Sequence, residues 1–85
     1  MATNMPATEI EAFLRERVAK ERAIGVADVD PTIPLDQLAL DSMALLGIVG
    51  DLAERLETEI DTTLLFEHPT IERLARHLGE DSRSP

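Results

Sequence analysis

The sequence is 85 residues long, enough for one small domain with a limited core. Its formal net charge is −9, with 8 lysines and arginines against 17 aspartates and glutamates. This charge argues against nucleic acid and against an anionic membrane surface, since both attract clustered basic residues, and it favours a basic protein surface as the partner. The absence of cysteine excludes disulfides and thiol chemistry by the chain's own side chains.

Local composition favours a helical protein of the cytoplasm. The first seven residues lack the charged start and apolar run of a signal peptide, and no apolar run is long enough to span a membrane. His68 and His77 lack ligand-type neighbours at metal spacing, so we expect no metal site. Helix-favouring Leu, Ala, Glu and Arg dominate, and β-branched residues come singly, which predicts an all-α bundle.

The first helix is predicted to start at Thr8, which forms a capping-box pattern with Glu11. Helical spacing of apolar residues then predicts a buried stripe, interrupted near Arg17. The stripe consists of Ile10, Phe13, Leu14 and Val18. The helix should end before Gly25.

The segment from Gly25 to Ala39 is predicted to be a long ordered loop. Pro31 and Pro34 break any helix there, because the residue before a proline is pushed out of the α region. The segment nevertheless has many apolar residues that could pin it across the end of the bundle: Val26, Val29, Ile33, Leu35 and Leu38. A short helical turn is predicted around Leu35–Leu38.

A second helix is predicted from Ser42 to about Glu57. Steps of 100° per residue place five apolar side chains on its core face. These are Leu45, Ile48, Val49, Leu52 and Leu56. Gly47 and Gly50 fall on the outward face, where either they are tolerated or something approaches that face closely.

The remainder is predicted to form a short turn and a last helix. The turn should carry Leu64, Leu65 and Phe66 into the core, and Thr70 should cap the last helix. The last helix should end at Gly79. Its apolar face should consist of Ile71, Leu74, Ala75 and Leu78. The chain thus divides into a flexible N-terminus over 1–7, a single domain over 8–79 and a polar tail over 80–85.

The start of the second helix has features of a docking surface. Asp41 and Ser42 are both good N-cap residues, so a helix cap is the simplest role for either. Met43 and Leu46, however, place exposed apolar atoms beside the Ser42 hydroxyl. Acidic residues also dominate from Asp36 to Glu67, and an acidic face with a small apolar centre suits protein docking.

The stretch PLDQLALDSMALLGIVGDLAERL, followed by TTLLFEHPTIERLARHL, resembles an acyl carrier protein domain. The resemblance runs from about Ile10 to Leu78 and is strongest to the carriers of modular polyketide synthases. Two motifs carry it, LDS at 40–42 and FEHPT at 66–70. Ala39 departs from the family, in which glycine is common at that position.

The resemblance implies a four-helix bundle of acyl-carrier type, with a long ordered loop between helices 1 and 2 and a short third helix. It implies that Ser42 receives a covalent 4′-phosphopantetheine from coenzyme A, installed by a phosphopantetheinyl transferase in which magnesium acts. Acyl or polyketide intermediates would then be held as thioesters, in polyketide, lipid or related natural-product biosynthesis. The chain itself would be a non-catalytic carrier.

The resemblance also implies which partners the carrier meets. They are an acyl-loading enzyme, either an adenylating ligase or an acyltransferase, and synthase or downstream transferase domains. By analogy, five residues would form the docking surface: Asp41, Met43, Leu46, Asp51 and Glu54. We expect a free-standing monomer.

Two other classes remain to be distinguished from a carrier. A helical interaction module would use the same acidic face and exposed Met43 without modification of Ser42. An enzyme is disfavoured, because serine hydrolysis needs an oriented base and an oxyanion site, and Ser42 has no base nearby in the sequence.

Overall fold

The structure is a computed structural model that describes residues 5–38 and 40–79. Within those ranges it contains helices and no strand, with one isolated bridge between Pro34 and Thr70. The α-helices are α1 (Ala7–Arg22), α2 (Ser42–Leu56), α3 (Leu64–Glu67) and α4 (Ile71–Leu78). Two 3₁₀ turns, Val26–Asp28 and Leu35–Gln37, lie in the loop between α1 and α2. The predicted all-α bundle, with its long loop and short third helix, is confirmed.

The start of α1 differs from the prediction. The N-cap is Pro6, and Thr8 lies inside the helix without making a side-chain cap. The carbonyl of Pro6 accepts the N–H groups of Glu9 and Ile10 at 3.0 and 3.2 Å, which satisfies donors that a capping side chain would otherwise serve. Met5 is only 8% exposed and packs in the core, so the chain is already anchored at 5–7, within the segment expected to be flexible.

Both long helices end in the same way, with a non-glycine residue in the left-handed region. Ala23 has φ 56° and Glu57 has φ 54°. In each case the next residue donates its N–H back to the final turn, Ile24 to Ala19 O at 3.0 Å and Thr58 to Ala53 O at 3.1 Å. These are Schellman closures, which satisfy carbonyls that have no partner within the helix. The end of α1 at Arg22 confirms the prediction that it stops before Gly25.

Apolar side chains pin the long loop, as predicted, with one exception. Val29, Leu35 and Leu38 are buried at 2%, 6% and 3% exposure, and Ile33 packs against them. Val26 is 41% exposed and does not anchor the loop in the core. The predicted helical turn near Leu35 is present as the second 3₁₀ turn.

Hydrogen bonds hold the same loop from both sides. From α1, the Arg15 guanidinium donates to the carbonyls of Val29 and Val26 at 3.2 and 3.1 Å. On the α4 side, the Leu35 N–H donates to Pro69 O at 2.7 Å, and the Glu72 N–H donates to Pro31 O at 3.0 Å. The loop is therefore an ordered part of the bundle. Sequence reasoning missed the role of Arg15.

Two exposed aspartates close turns beside the helices. The Asp30 carboxylate accepts hydrogen bonds from the Thr32 hydroxyl at 2.6 Å and the Thr32 N–H at 2.9 Å. Asp61 accepts from the Thr63 N–H at 2.9 Å, just before α3. In both cases these bonds to threonine favour the ionised form and lower the pKa of the carboxyl from its ordinary value.

The core lies between α1, α2 and α4. The face predicted for α2 is confirmed: Ile48, Val49, Leu52 and Leu56 are buried, and Leu45 packs against them. The α4 face is also confirmed, with Ile71, Leu74 and Ala75 buried and Leu78 half-buried. Phe66 was wrongly predicted to enter the core: it is 85% exposed, because the four-residue α3 directs only Leu64 and Leu65 against the bundle.

Candidate functional site

Ser42 is the first residue of α2, and Asp41 is its N-cap. The Asp41 carboxylate accepts the Ala44 N–H at 2.8 Å, and the Asp41 carbonyl accepts the Leu45 N–H at 3.0 Å. Ser42 is exposed, and its hydroxyl forms no hydrogen bond with any residue of 5–38 or 40–79. The sequence left the capping role open between these two residues, and the structure gives it to Asp41.

Buried side chains fix the approach to Ser42. Leu38 is 3% exposed, and Leu40 packs against the core. Ala39, where the sequence departs from the carrier pattern, lies outside the described residues. Because Leu40 packs against the core two residues before Ser42, the start of α2 is held against the bundle, as in preorganised sites.

Two apolar side chains in the first turns of α2 are exposed, as predicted. Met43 is 79% exposed and Leu46 is 47% exposed. On α3, Phe66 is also a large exposed side chain, which sequence reasoning missed. The FEHPT motif was the available signal, but its phenylalanine was assigned to the core. Exposed apolar groups with acidic neighbours are typical of a docking surface.

The two acidic residues predicted for docking on α2 have different surroundings. Asp51 forms an ion pair with Arg17 of α1, which also explains why Arg17 interrupts the apolar stripe. Glu54 is exposed, and its carboxylate forms no ion pair with a described residue. Its charge is therefore the more available of the two for a partner.

The Arg17–Asp51 pair belongs to a small cluster on the outer side of α1 and α2. The guanidiniums of Arg17 and Arg55 lie 5.9 and 5.6 Å from the centroid of the Phe13 ring. These distances are within cation–π range. Phe13 is thus half-buried under two arginines, and its aromatic face does not add to the exposed apolar surface.

The start of α2 fits a covalently attached phosphate group. The N–H groups of Ser42 and Met43 have no acceptor among the described residues, and the first turn of α2 contains no acidic side chain. A helix N-terminus with available N–H groups favours an anion through its dipole. Further along the exposed face, a Cβ added to Gly47 or Gly50 would meet no atom of the described residues within 4 Å.

Within residues 5–38 and 40–79, no side chain is hydrogen-bonded to the Ser42 hydroxyl in the way that a catalytic base would be. His68 and His77 stack on each other, with ring centroids 4.1 Å apart and planes 21° apart, and neither is hydrogen-bonded to Ser42. In the same part of the chain, no group of three His, Asp or Glu side chains is placed to hold a metal ion. None of the described helices is long and apolar enough to cross a membrane.

The profile of the family described as "Phosphopantetheine attachment site" matches residues 12–78. Among curated proteins, the chain is 30% identical over 80 residues to a component of the phenolphthiocerol/phthiocerol polyketide synthase of Mycobacterium tuberculosis. That match covers 94% of this chain and 4% of the relative, so the chain spans only a small part of the synthase.

Two solved structures share both the fold and part of the sequence. A free-standing peptidyl carrier protein from Acinetobacter baumannii matches with a TM-score of 0.78 and 35% identity, over 88% of this chain and 94% of that one. An acyl carrier protein from Anabaena, which has a variant phosphopantetheinylation-site sequence, matches with a TM-score of 0.83 and 28% identity, over 94% and 92% of the two chains.

The family match covers most of the chain, and the exposed helix start offers the kind of site that the family uses. Homology to polyketide synthase carriers and to free carrier proteins agrees with it. The chain therefore belongs to the phosphopantetheine-attachment family, as a carrier domain whose prosthetic group is a covalently bound 4′-phosphopantetheine.

Proposed function

We propose that the Ser42 hydroxyl is the attachment point of the prosthetic group. One observation carries the proposal: Ser42 is exposed and makes no hydrogen bond with a described residue, while its neighbour Asp41 caps the helix. A serine that serves only as a cap would use its oxygen to accept a backbone N–H of the first turn. The Ser42 hydroxyl therefore remains available for covalent modification.

The chain's residues position and stabilise the attached group. When bound, the group supplies a terminal thiol that holds acyl groups as thioesters. The N–H groups of Ser42 and Met43 would be available to its phosphate, and the positive end of the helix dipole would favour the phosphate charge. Asp41 keeps that turn formed, and Leu38 and Leu40 fix the backbone before it. The family is generally non-catalytic, and we propose that this chain leaves catalysis to its partners.

The partners and the cargo follow from the family by analogy. We propose that a phosphopantetheinyl transferase modifies Ser42, with magnesium acting in that enzyme. An adenylating ligase or acyltransferase then loads the acyl group, and synthase or transferase domains use it. The pathway is polyketide, lipid or related natural-product biosynthesis in the cytoplasm, and the carrier acts as a monomer. The homology to polyketide synthase carriers supports this assignment.

The docking surface that we propose is centred on the exposed face of α2. Met43 and Leu46 supply apolar contact, and Asp41 and Glu54 supply negative charge for a basic partner. Asp51 lies on the same helix, but its ion pair with Arg17 reduces the charge that it offers. Complementary charges of this kind mainly raise the rate of encounter and fix orientation.

The test is the intact mass of the protein after incubation with coenzyme A, magnesium and a broad-specificity phosphopantetheinyl transferase. Wild type should gain one phosphopantetheine, and Ser42→Ala should gain none. Ser82→Ala/Ser84→Ala, which removes the other serines of the chain, is the matched control and should be modified like wild type. Since Ser42 is not the cap, its alanine variant should stay within about 0.5 kcal/mol of wild-type stability.

A modified Ser42→Ala protein would contradict the attachment assignment, because the group would then be elsewhere. Absence of modification in wild type with several transferases would favour the other candidate, a helical module that binds partners without modification. That candidate is supported by the exposed apolar side chains of Met43 and Phe66. The exposed surface would then bind partners without an attached prosthetic group.

A further inference from the structure

A small open cavity lies where α3 joins α4, and basic and imidazole side chains form it. Its volume is about 210 Å³, and its lining residues are His68, Arg73, Arg76 and His77. Within residues 5–38 and 40–79, no acidic residue lines it. This is unusual in a chain with 17 acidic residues and 8 lysines and arginines, where most surfaces carry negative charge.

Three of the four lining residues share one face of α4. Arg76 and His77 follow Arg73 by three and four residues, so both side chains are neighbours of Arg73 on the helix surface. All three are exposed, and no described residue forms an ion pair with either guanidinium. Two adjacent arginines therefore present their donors to the outside. Such donors form a planar fork that matches a carboxylate.

The fourth lining residue is held in place from the other side. His68 precedes α4, and its ring stacks on that of His77 with centroids 4.1 Å apart. Its backbone N–H donates to Leu64 O at 2.8 Å, and the next residue, Pro69, accepts the Leu35 N–H at 2.7 Å. The junction is thus tied to both α3 and the long loop, and its basic face is preorganised, which lowers the entropy cost of binding.

We propose that this basic face, formed by His68, Arg73, Arg76 and His77, docks an acidic segment of a partner protein. The negative charge of the rest of the chain disfavours such a segment elsewhere, so the basic face also fixes its orientation. A free small anion is a poorer fit, since the donors are exposed and each exposed ion pair contributes little by itself. Several carboxylates on one segment contact both arginines at once.

This surface is separate from the one assigned to α2, and it has the opposite charge. A carrier with both surfaces would recognise basic partners through α2 and acidic partners through α4. The proposal needs no modification of Ser42, and its test measures binding to the unmodified chain. Its failure is therefore distinguishable from failure of the attachment proposal.

The test is a titration of the isotope-labelled full chain with a hexaglutamate peptide at low salt, followed by residue-resolved NMR. Shifts should concentrate at His68 and along α4. Arg73→Gln/Arg76→Gln should weaken binding by about twofold to thirtyfold, as expected for the loss of two exposed ion pairs. The matched control is Lys20→Gln/Arg22→Gln, the same change of charge at exposed residues in the last turn of α1. It should bind like wild type.

Three results would overturn the proposal. One is the absence of localised shifts at α4. Another is equal weakening in the two double variants, which would indicate a response to net charge alone. The third is equally tight binding of inorganic phosphate at matched ionic strength, which would indicate a site for a small free anion. Circular dichroism of each variant ensures that a loss of binding is not a loss of fold.

Discussion

Asp41 and Ser42 are adjacent in the chain but have separate tasks at the start of α2. Asp41 accepts two backbone N–H groups of the first turn, one through its carboxylate and one through its carbonyl. Ser42, one residue later, has helical geometry and leaves its hydroxyl exposed. The capping residue can therefore be changed without touching the hydroxyl, and the reverse is also true.

This separation predicts different results for two variants of Asp41. Asp41→Ala removes the cap and should lower the free energy of unfolding by about 0.5–2 kcal/mol. Asp41→Asn keeps an acceptor oxygen and should remain close to wild type. Urea denaturation of the unmodified protein measures both. Equal stability of the alanine variant and wild type would show that the Asp41–Ala44 bond does not support the helix.

The ion pair between Arg17 and Asp51 predicts unequal roles for the two acidic residues of α2. Glu54→Gln should reduce the rate of Ser42 modification at low salt by about twofold to fivefold, because it removes an available charge. Asp51→Asn should have a smaller effect, since Arg17 already offsets its charge. Both effects should fade at high salt, where exposed charges are screened. Transferase kinetics measure them, and a larger effect at Asp51 would contradict this ranking.

At the residue scale, exposure was easier to predict from the sequence than capping. Helical rotation correctly placed Met43 outside and put Leu46 at the border of the core face, where it is 47% exposed, because α2 is long and regular. It failed for Phe66, since a four-residue helix has too few turns to set a face. The pattern at Thr8 failed because Pro6 starts the helix earlier with its own backbone carbonyl.

At the scale of the elements, the glycines in and after the helices differ in their surroundings, so glycine is required at one position and not at the others. Gly79 follows α4 with extended backbone, φ −76°, so a left-handed conformation does not require it. A Cβ there would lie 2.6 Å from the Cα and from the N of Ala7, so its absence lets the end of α4 meet the start of α1. Gly47 and Gly50 face open space instead.

These surroundings predict opposite effects of alanine. Gly47→Ala and Gly50→Ala should each stabilise the protein by up to about 1 kcal/mol, since alanine favours helix and meets no neighbour. Gly79→Ala should destabilise it by about 1–3 kcal/mol, because backbone atoms cannot easily move aside. Thermal unfolding measures all three.

The same helix variants test whether a partner approaches α2 closely. We expect the rate of Ser42 modification to be unchanged in Gly47→Ala and Gly50→Ala, because the added methyl group meets no described residue within 4 Å and leaves the proposed docking side chains in place. A slower rate in a more stable variant would contradict this and would indicate a close partner contact on that face.

Sequence patterns predicted the elements well where the periodicity was long. The bounds of α2 and α4 and the Thr70 cap follow from apolar spacing and capping residues, and Thr70 accepts the Arg73 N–H at 3.1 Å. The bonds that order the long loop were not predictable. They join Arg15 to residues 11 and 14 positions away and the loop to α4, and such contacts depend on the tertiary arrangement.

At the scale of the whole molecule, a small core supports two surfaces of opposite charge. The Cα radius of gyration is 12.0 Å, and the fully buried side chains come from α1, α2, α4 and the loop. A domain of this size has a stability of about 4–13 kcal/mol in total. Each core residue therefore accounts for a large share of the stability that keeps both surfaces in place.

Leu52 is the sharpest test of this dependence, because its side chain is 0% exposed on the core face of α2. Leu52→Ala should lower the free energy of unfolding by about 2–5 kcal/mol, through lost burial and the cavity that remains. The corresponding fall in melting temperature is about 10 °C or more for a domain of this size.

Met43→Ala is the matched control on the same helix, since Met43 is 79% exposed. It should change stability by less than about 0.5 kcal/mol and act, if at all, on docking. Similar losses in both variants would mean that α2 is rotated from the orientation described, and Met43 could then not belong to the docking surface.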